Sequence, residues 1–509
     1  MTDAPVPDAD ASAGADLTAL PEQMRVRREK LERLMASGVD PYPVGFPRTT
    51  TMAALRERFP DLEPDTATGE RVGVAGRVML SRTGGKLCFA TIRDGAGEGA
   101  DIQVMLSLDR VGLDTLSAWK ADIDLGDHVG VEGEVITSRR GELSVMVERW
   151  AITAKTLRPL PDKHKGLSDP EARVRQRYVD LIVNDEARAM IHLRSDVLES
   201  LRSTLRARGF VEAETPVLQP LHGGAAARPF HTHLNAFDTE MFLRIALELY
   251  LKRLVVGGIE RVFEISKNFR NEGVDSSHSP EFTMLEAYEA YGDYDSMAEL
   301  TRALVLDAAR ATGRTVVPDG HGGTIDLEGD WTTVTIHGAV SDAVGESVTP
   351  DTSLDALLAI ANAHDVALQD GWDEGDVVLE LFEKLVEHTL LQPTFVRDYP
   401  ASVRPLARPH RDDPRLAEAW DLIIAGFELA PAYSELVDPT EQRRRLVEQS
   451  LRAAGGDPEA MQLDEDFLRA LEYGMPPTGG MGLGVDRLIM LLSGKGIRET
   501  IAFPLLKPE

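Results

Sequence analysis

Residues 261–292 read RVFEISKNFRNEGVDSSHSPEFTMLEAYEAYG. Two runs with strand character flank a polar loop, a pattern that predicts an antiparallel hairpin. Alternate residues of a strand share a face, so parity groups Arg270 with Glu272 on the first run and Phe282, Glu286 and Tyr288 on the second. An arginine, a flat ring and carboxylates aimed into one space can hold a phosphate, a base and a cationic group. The hairpin therefore predicts a nucleotide site beside an amino-acid pocket. Taken alone, an Arg-x-Glu pair is more often an ordinary solvated surface feature, and two other stretches decide between these readings.

Near the C-terminus, GGMGLGVDRLIMLLSG at 479–494 places Gly480, Gly482 and Gly484 at period two. One face of that strand is stripped of side chains, while Met481, Leu483 and Val485 pack behind it. Glycine inside a strand often marks the close approach of a ligand or another backbone. Asp486 and Arg487 open an apolar helix expected to stop near Gly494, so Arg487 overhangs the bare face. Arginine both stacks on flat rings and binds phosphate. Upstream, SDVLESLRSTLRARGFVEAETPVLQP at 195–220 predicts an amphipathic helix with Val197, Leu198, Leu201 and Leu205 on one side, ended by Gly209 and followed by a short strand running into Pro216.

These three stretches, in this order, resemble the three motifs of the class II aminoacyl-tRNA synthetases, and most closely those of the lysyl-tRNA synthetases. Motif 1 corresponds to Gly209–Pro216, motif 2 to FRNE at Phe269–Glu272 with HSPEFT at His278–Thr283, and motif 3 to GMGLGVDR at Gly480–Arg487. GGAAARPF at Gly223–Phe230, ELYLKRLVVGGIERVFEI at Glu248–Ile265 and YSEL at Tyr433–Leu436 extend the resemblance over roughly residues 17 to 507.

Composition agrees. The chain has 509 residues, 43% of them apolar, enough for two or three domains. No apolar run approaches the ~20 residues of a membrane helix, and the N-terminus lacks a basic region followed by an apolar one, so a cytoplasmic protein without membrane attachment is expected. The single cysteine, Cys88, permits no internal disulfide and no cysteine-based zinc cluster, and reads as a small apolar strand residue. A net charge of −29 argues against diffuse nucleic-acid binding and favours local RNA contact. Basic clusters at Met24–Leu34 and Arg173–Arg177 could supply positive surface, although acidic residues alternate with them as on a solvated helix face.

Along the chain, residues 1–16 read as a disordered tail and 17–70 as an N-terminal helical segment ending its first helix before Gly38. Five short alternating segments within 71–157 predict a small barrel of OB type. Residues 158–190 form a proline-punctuated linker, and 191–509 the catalytic domain. The latter lacks regular βα alternation, which argues against a Rossmann fold. The fold class expected is α+β and multidomain: an OB barrel followed by an antiparallel sheet flanked by helices, as the resemblance implies. Gly313–Gly375 carries few chemical candidates and reads as an inserted helical subregion.

The resemblance implies roles for individual residues. Arg270 would bridge the substrate carboxylate and the α-phosphate of ATP, Glu272 would accept from the adenine amino group, Phe282 and Arg487 would sandwich the ring, and His278 would lie near the terminal phosphates. Glu286, Tyr288 and Glu435 would surround the ammonium of a lysine side chain, which must be paired once desolvated. Glu248 and the Gly224 backbone would receive the α-amino group. In the barrel, Phe89 would stack an anticodon base of tRNA(Lys), with Arg82, Gln103 and Glu142 at base edges or backbone; without the resemblance, Phe89 reads as a barrel-core residue. A symmetric homodimer with motif 1 at its interface is also implied.

A separate observation concerns WDLIIAGFELAPAYSEL at 420–436. A two-residue turn near Ala425 and Gly426 puts Asp421 and Glu428 on one face of a hairpin, and two like charges there call for a cation. Carboxylates with ATP oxygens form a hard-oxygen environment suited to Mg²⁺. Several positions depart from the usual lysyl pattern: Pro431 for Asn, Leu247 for Pro, Ser279 for Asn, Asp421 for Glu, and Ala425 and Phe427 within the usual Gly-Gly-Arg-Glu. PPTGG and EQRRRL resemble the synthetase half of bifunctional proteins that lysinylate lipids. The activity expected is ATP-dependent attachment of lysine to tRNA. A paralogue supplying Lys-tRNA for lipid lysinylation and a catalytically weak RNA-binding or amino-acid-sensing paralogue are the alternatives.

Overall fold

The computed structural model describes residues 20–95, 100–161, 166–369, 371–454 and 461–507. The expected disordered tail, 1–16, lies outside them. The chain divides into two compact units between Ala189 and Met190.

The first unit is built on β1 (Ala67–Thr83), β2 (Leu87–Arg93), β3 (Asp101–Ser107), β4 (His128–Thr137) and β5 (Leu143–Ala154). They pair in a ring, β1-β2-β3-β5-β4, with only β3 and β5 parallel. Alternation decides which side chains fill the ring: Cys88, Ala90 and Ile92 of β2 are buried together with Val72, Val74 and Val131. The helix Met52–Arg58 adds fully buried Met52 and Leu55 to this core. The helix Glu22–Ala36 stops one residue before the Ser37–Gly38 pair, where Gly38 takes φ 80°. It is tied to the barrel by polar contacts, Lys30 Nζ to Asp124 Oδ1 at 2.7 Å and Arg27 Nη2 donating to the Leu125 carbonyl at 2.8 Å.

In the second unit, β6 (Val211–Glu212) follows the helix Asp185–Ala207, and β7 (Leu218–Gln219), β8 (His231–Leu234) and β9 (Thr239–Leu243) form a separate small sheet. The hairpin is β10 (Arg261–Phe269) with β11 (Glu281–Ala290). Then come β12 (Val316–Pro318) paired with β13 (Thr324–Asp326), β14 (Thr332–Thr335), β15 (Thr394–Arg397), β16 (Ala419–Ile424), β17 (Phe427–Ser434) and β18 (Thr478–Gly484). The main sheet has the order β14-β15-β16-β17-β18-β11-β10-β6.

The expectation of an antiparallel sheet needs one correction: its centre is antiparallel, but β14 runs parallel to β15 and β6 parallel to β10 at the edges. The reading of Gly313–Gly375 as a helical insertion is corrected too. It contains the helices Ile336–Val344 and Leu354–Ala363, but also the β12–β13 hairpin and the edge strand β14. The main core lies behind the sheet, where Val197, Leu201 and Leu205 of the long helix meet Met481, Leu483 and Val485 of the glycine strand segment.

Candidate active site

The opposite face of β10, β11, β18 and β17 carries the chemistry. Glu286 stands opposite Gly482, and Tyr288 opposite Gly480, in the β11–β18 pairing. A Cβ placed on Gly480 would come to 2.0 Å from Glu435 Oε1 and 2.5 Å from a Tyr288 ring carbon. The bare strand face is therefore the space into which the pocket side chains lean. At Gly482 the nearest atom is the Met284 methyl at 3.2 Å, with Pro431 Cγ at 3.8 Å and Glu286 Cγ at 3.9 Å.

Three buried carboxylates gather there. Glu286 accepts from the Leu247 N–H at 3.0 Å and from the Tyr288 hydroxyl at 2.9 Å. Glu248 and Glu435 share one cation, Lys252, whose Nζ lies 2.5 Å from each. Burial, with the Glu248 carboxylate adding to it, pushes Glu286 up to about 7 against the Leu247 amide and the Tyr288 hydroxyl. Burial also pushes Glu435 up to about 8 although Lys252 opposes it. Both shifts come first from burial, and the neighbouring Glu248 carboxylate adds to each. Gly224, at φ 87°, brings its backbone against the start of the helix Glu248–Val256: a Cβ there would sit 3.2 Å from Glu248 Cβ. A proline at position 247 would have no N–H to donate to Glu286.

The arginine end is adjacent. β10 ends at Phe269, so Arg270 and Glu272 lie just beyond the strand rather than on it. The Arg270 backbone N–H still donates to the Pro280 carbonyl at 2.9 Å, which continues the hairpin by one rung. Its guanidinium lies 5.1 Å from the Phe282 ring centroid and its Nε 3.3 Å from the Ile245 carbonyl. Burial draws Arg270 below its ordinary value, and the Glu272, Glu428 and Glu286 carboxylates oppose this. Arg487 does not cover Phe282: its Nη1 donates to the Glu428 carbonyl at 2.6 Å and stands 3.9 Å from the Glu428 carboxylate. The cation nearest the Phe282 ring is therefore Arg270. Glu272 and His278 are exposed in the loop. His278 Nδ1 is 2.9 Å from Asp275, which also accepts from the backbone N–H of Ser277 and His278.

Asp421 and Glu428 do share a face, though not by an uninterrupted ladder. Ala425 and Gly426 both take positive φ, 56° and 78°, forming the two-residue turn. Ile423 opposes Glu428, and a bulge then brings Asp421 opposite Pro431. Asp421 Oδ2 is 2.5 Å from Arg404 Nη2. Burial raises Asp421 although Arg404 and the Tyr399 hydroxyl oppose it, and burial with Glu428 lifts Glu387 to about 7. The clustered carboxylates Asp421, Glu428 and Glu387 suit a hard cation. Among the described residues no group of three or more His, Cys, Asp or Glu side chains forms a metal site by itself.

In the barrel, Phe89 is half-buried and outside the core, between the inward Cys88 and Ala90. It pairs across strands with exposed Arg82. Gln103 donates to Ser144 Oγ at 2.9 Å, and exposed Glu142 lies 3.6 Å from Arg56. Sequence reasoning missed Lys252, Arg404 and Glu387. Lys252 alone left a signal, four residues after Glu248 on the same helix face.

Residues 169–507 match the family model described as tRNA synthetases class II (D, K and N), and residues 72–153 match that of the OB-fold nucleic acid binding domain. The chain belongs to the class II tRNA synthetases. It is 57% identical over 492 residues to the lysine–tRNA ligase of Kineococcus radiotolerans, covering 96% of this chain and 98% of that protein. To the lysine–tRNA ligase of Mycobacterium bovis BCG it is 54% identical over 505 residues, 98% and 99% of the two chains. It is also 54% identical over 495 residues to the lysylphosphatidylglycerol biosynthesis bifunctional protein LysX of Mycobacterium marinum, a match spanning 96% of this chain and 44% of that protein.

Proposed function

We propose that the chain activates L-lysine with ATP and transfers it to tRNA(Lys) through lysyl-adenylate, releasing pyrophosphate and then AMP. The observation that carries this reading is the set of buried carboxylates Glu248, Glu286 and Glu435 around the bare strand face. An acidic or neutral amino-acid side chain would not stabilise that much buried negative charge, whereas a second ammonium would.

Activation places the lysine carboxylate against the α-phosphate, so catalysis is chiefly positioning and charge neutralisation. Arg270, at the junction of pocket and loop, would contact both groups. Adenine binding beside Phe282 would have Glu272 accept from its amino group, with Arg487 closing over the ring after leaving Glu428, and His278 near the terminal phosphates. Glu286, Tyr288 and Glu435 would face the side-chain ammonium, and Glu248 with the Gly224 backbone the α-ammonium. Mg²⁺ would be held by Asp421 and Glu428 together with ATP oxygens, neutralising phosphate charge. Phe89, Arg82, Gln103 and Glu142 would meet the anticodon, since a half-buried aromatic outside the barrel core, beside polar side chains, can serve as a base-stacking platform. The working form is a cytoplasmic homodimer with motif 1 at its interface; no described helix is long and apolar enough to cross a membrane.

Charging of purified tRNA(Lys) with radiolabelled lysine tests the reading. Lysine-dependent, ATP-dependent incorporation into acid-precipitable tRNA is expected, and incorporation of no amino acid would overturn it in favour of a non-catalytic paralogue.

A further inference from the structure

Lys252 lies on the helix Glu248–Val256 with 0% exposure, one turn after Glu248. Its Nζ stands 2.5 Å from Glu248 Oε1 and 2.5 Å from Glu435 Oε2. Glu435 follows β17 directly and is itself fixed by its backbone N–H donating to the Thr478 carbonyl at 2.8 Å. One ammonium therefore joins a helix to the end of a sheet strand at the floor of the pocket. Burial works against its charge, but Glu248 and Glu435 more than offset it, so Lys252 is held as a cation above its ordinary value.

We infer that Lys252 is a positioning and specificity-determining residue for lysine selection: it holds Glu248 and Glu435 in place and neutralises one of the three pocket carboxylates. This rests on the lysine-activating function proposed above. If Arg270 takes the substrate carboxylate, the remaining pocket holds three acids and one internal cation, and it is complete only when two further ammonium groups enter. Lysine supplies two, at its α and ε positions. A monoamine such as norleucine leaves one buried carboxylate unpaired, which is strongly unfavourable.

Burial raises Glu286 and Glu435 and the Glu248 carboxylate adds to it, the direction expected of buried acids short of cationic partners. The charged and titratable neighbours of Glu286 are Glu248, Arg270 and Tyr288, and those of Glu435 are Lys252, Glu248, Glu286 and Tyr288. Removing Lys252 takes away the cation that opposes the rise of Glu435, so Glu435 would hold a proton more tightly and yield it only at higher pH.

The test compares the native enzyme with Lys252→Met and Lys252→Gln in lysine-dependent pyrophosphate exchange between pH 6.5 and 9, with thermal melts as the folding control. Both variants are expected to raise the lysine KM by about tenfold or more at neutral pH, with ATP KM unchanged and kcat affected less. Their lysine KM should also keep falling to a pH about one unit above that at which the native value levels off. A lysine KM within about threefold of native with an unmoved pH profile would overturn the inference, as would loss of kcat alone. Failure of both variants to fold would make Lys252 a core ion pair and overturn it too. Absence of lysine-dependent exchange in the native enzyme would instead remove the function on which it rests.

Discussion

Replacing Gly480 by alanine puts the bare strand face to a direct test. Gly480 sits in extended β18 backbone, so the methyl adds volume without forcing a forbidden φ. Its Cβ would lie 2.0 Å from Glu435 Oε1 and 2.5 and 2.7 Å from two Tyr288 ring carbons, against 3.4 Å for ordinary contact. Glu435 must then retreat by roughly 1.4 Å, a shift of the size that costs about 100-fold when a positioning group moves. Neither neighbour is loose. Lys252 grips Glu435, and the Tyr288 hydroxyl is bound to Glu286 at 2.9 Å. Overpacking of this kind destabilises by about 1–3 kcal/mol, so the protein should still fold. Steady-state exchange should show lysine kcat/KM lowered by roughly 100-fold with ATP KM little changed. Gly482→Ala, on the same face, should cost less, since its nearest neighbour is the flexible end of Met284 at 3.2 Å. Near-native kinetics for Gly480→Ala would show that the glycine face is not the lysine pocket.

Other consequences are simpler. Arg270→Ala should lower lysine-dependent exchange by about 100-fold or more without changing the melting profile much, because transition-state charge is lost rather than core packing; exchange within a few fold of native would reject the role. Phe89→Ala should weaken tRNA charging by a stacking energy of ~1–3 kcal/mol and leave exchange intact, whereas equal loss in both assays would indicate a role in folding the barrel. Lysine KM should fall as pH rises from 6 to 8, because Glu286 at about 7 and Glu435 at about 8 must shed protons before pairing with ammonium. The slope is at most about tenfold per pH unit for each proton released, and a flat profile in exchange assays would contradict the charge assignment. Pro431, whose ring lies near the Gly482 position, offers no side-chain hydrogen bond. Pro431→Asn should lower lysine KM by roughly tenfold, as a hydrogen bond to a charged group allows; an unchanged or higher KM in the same assay would exclude a missing contact.

The features legible in the chain were those written locally. The β10–β11 hairpin, the alternating glycines of β18 and the Gly209 stop all rest on periodicity and turn chemistry within a few residues. The barrel was readable for the same reason, as short alternating runs between turns. The parallel edge strand β14 was not: four residues, TTVT, pair with Thr394–Arg397 some sixty positions on, and no nearby turn announces the match. The bulge that puts Asp421 opposite Pro431 is likewise a property of the paired strands rather than of either alone. Parity gathered Glu286 and Tyr288 correctly but carried Arg270 and Glu272 past the end of their strand. Buried pairings such as Arg404 with Asp421 and Lys252 with Glu435 join segments of no shared motif, so only the folded chain reveals them.

The central claim is that the pocket selects a diamino acid for adenylation. ATP–pyrophosphate exchange with the purified full-length protein, Mg²⁺ and each of lysine, ornithine, arginine, norleucine, aspartate and asparagine measures this without tRNA. Lysine should drive exchange far above every other amino acid, with aspartate, asparagine and norleucine at background. Exchange driven by aspartate or asparagine in preference to lysine would contradict it.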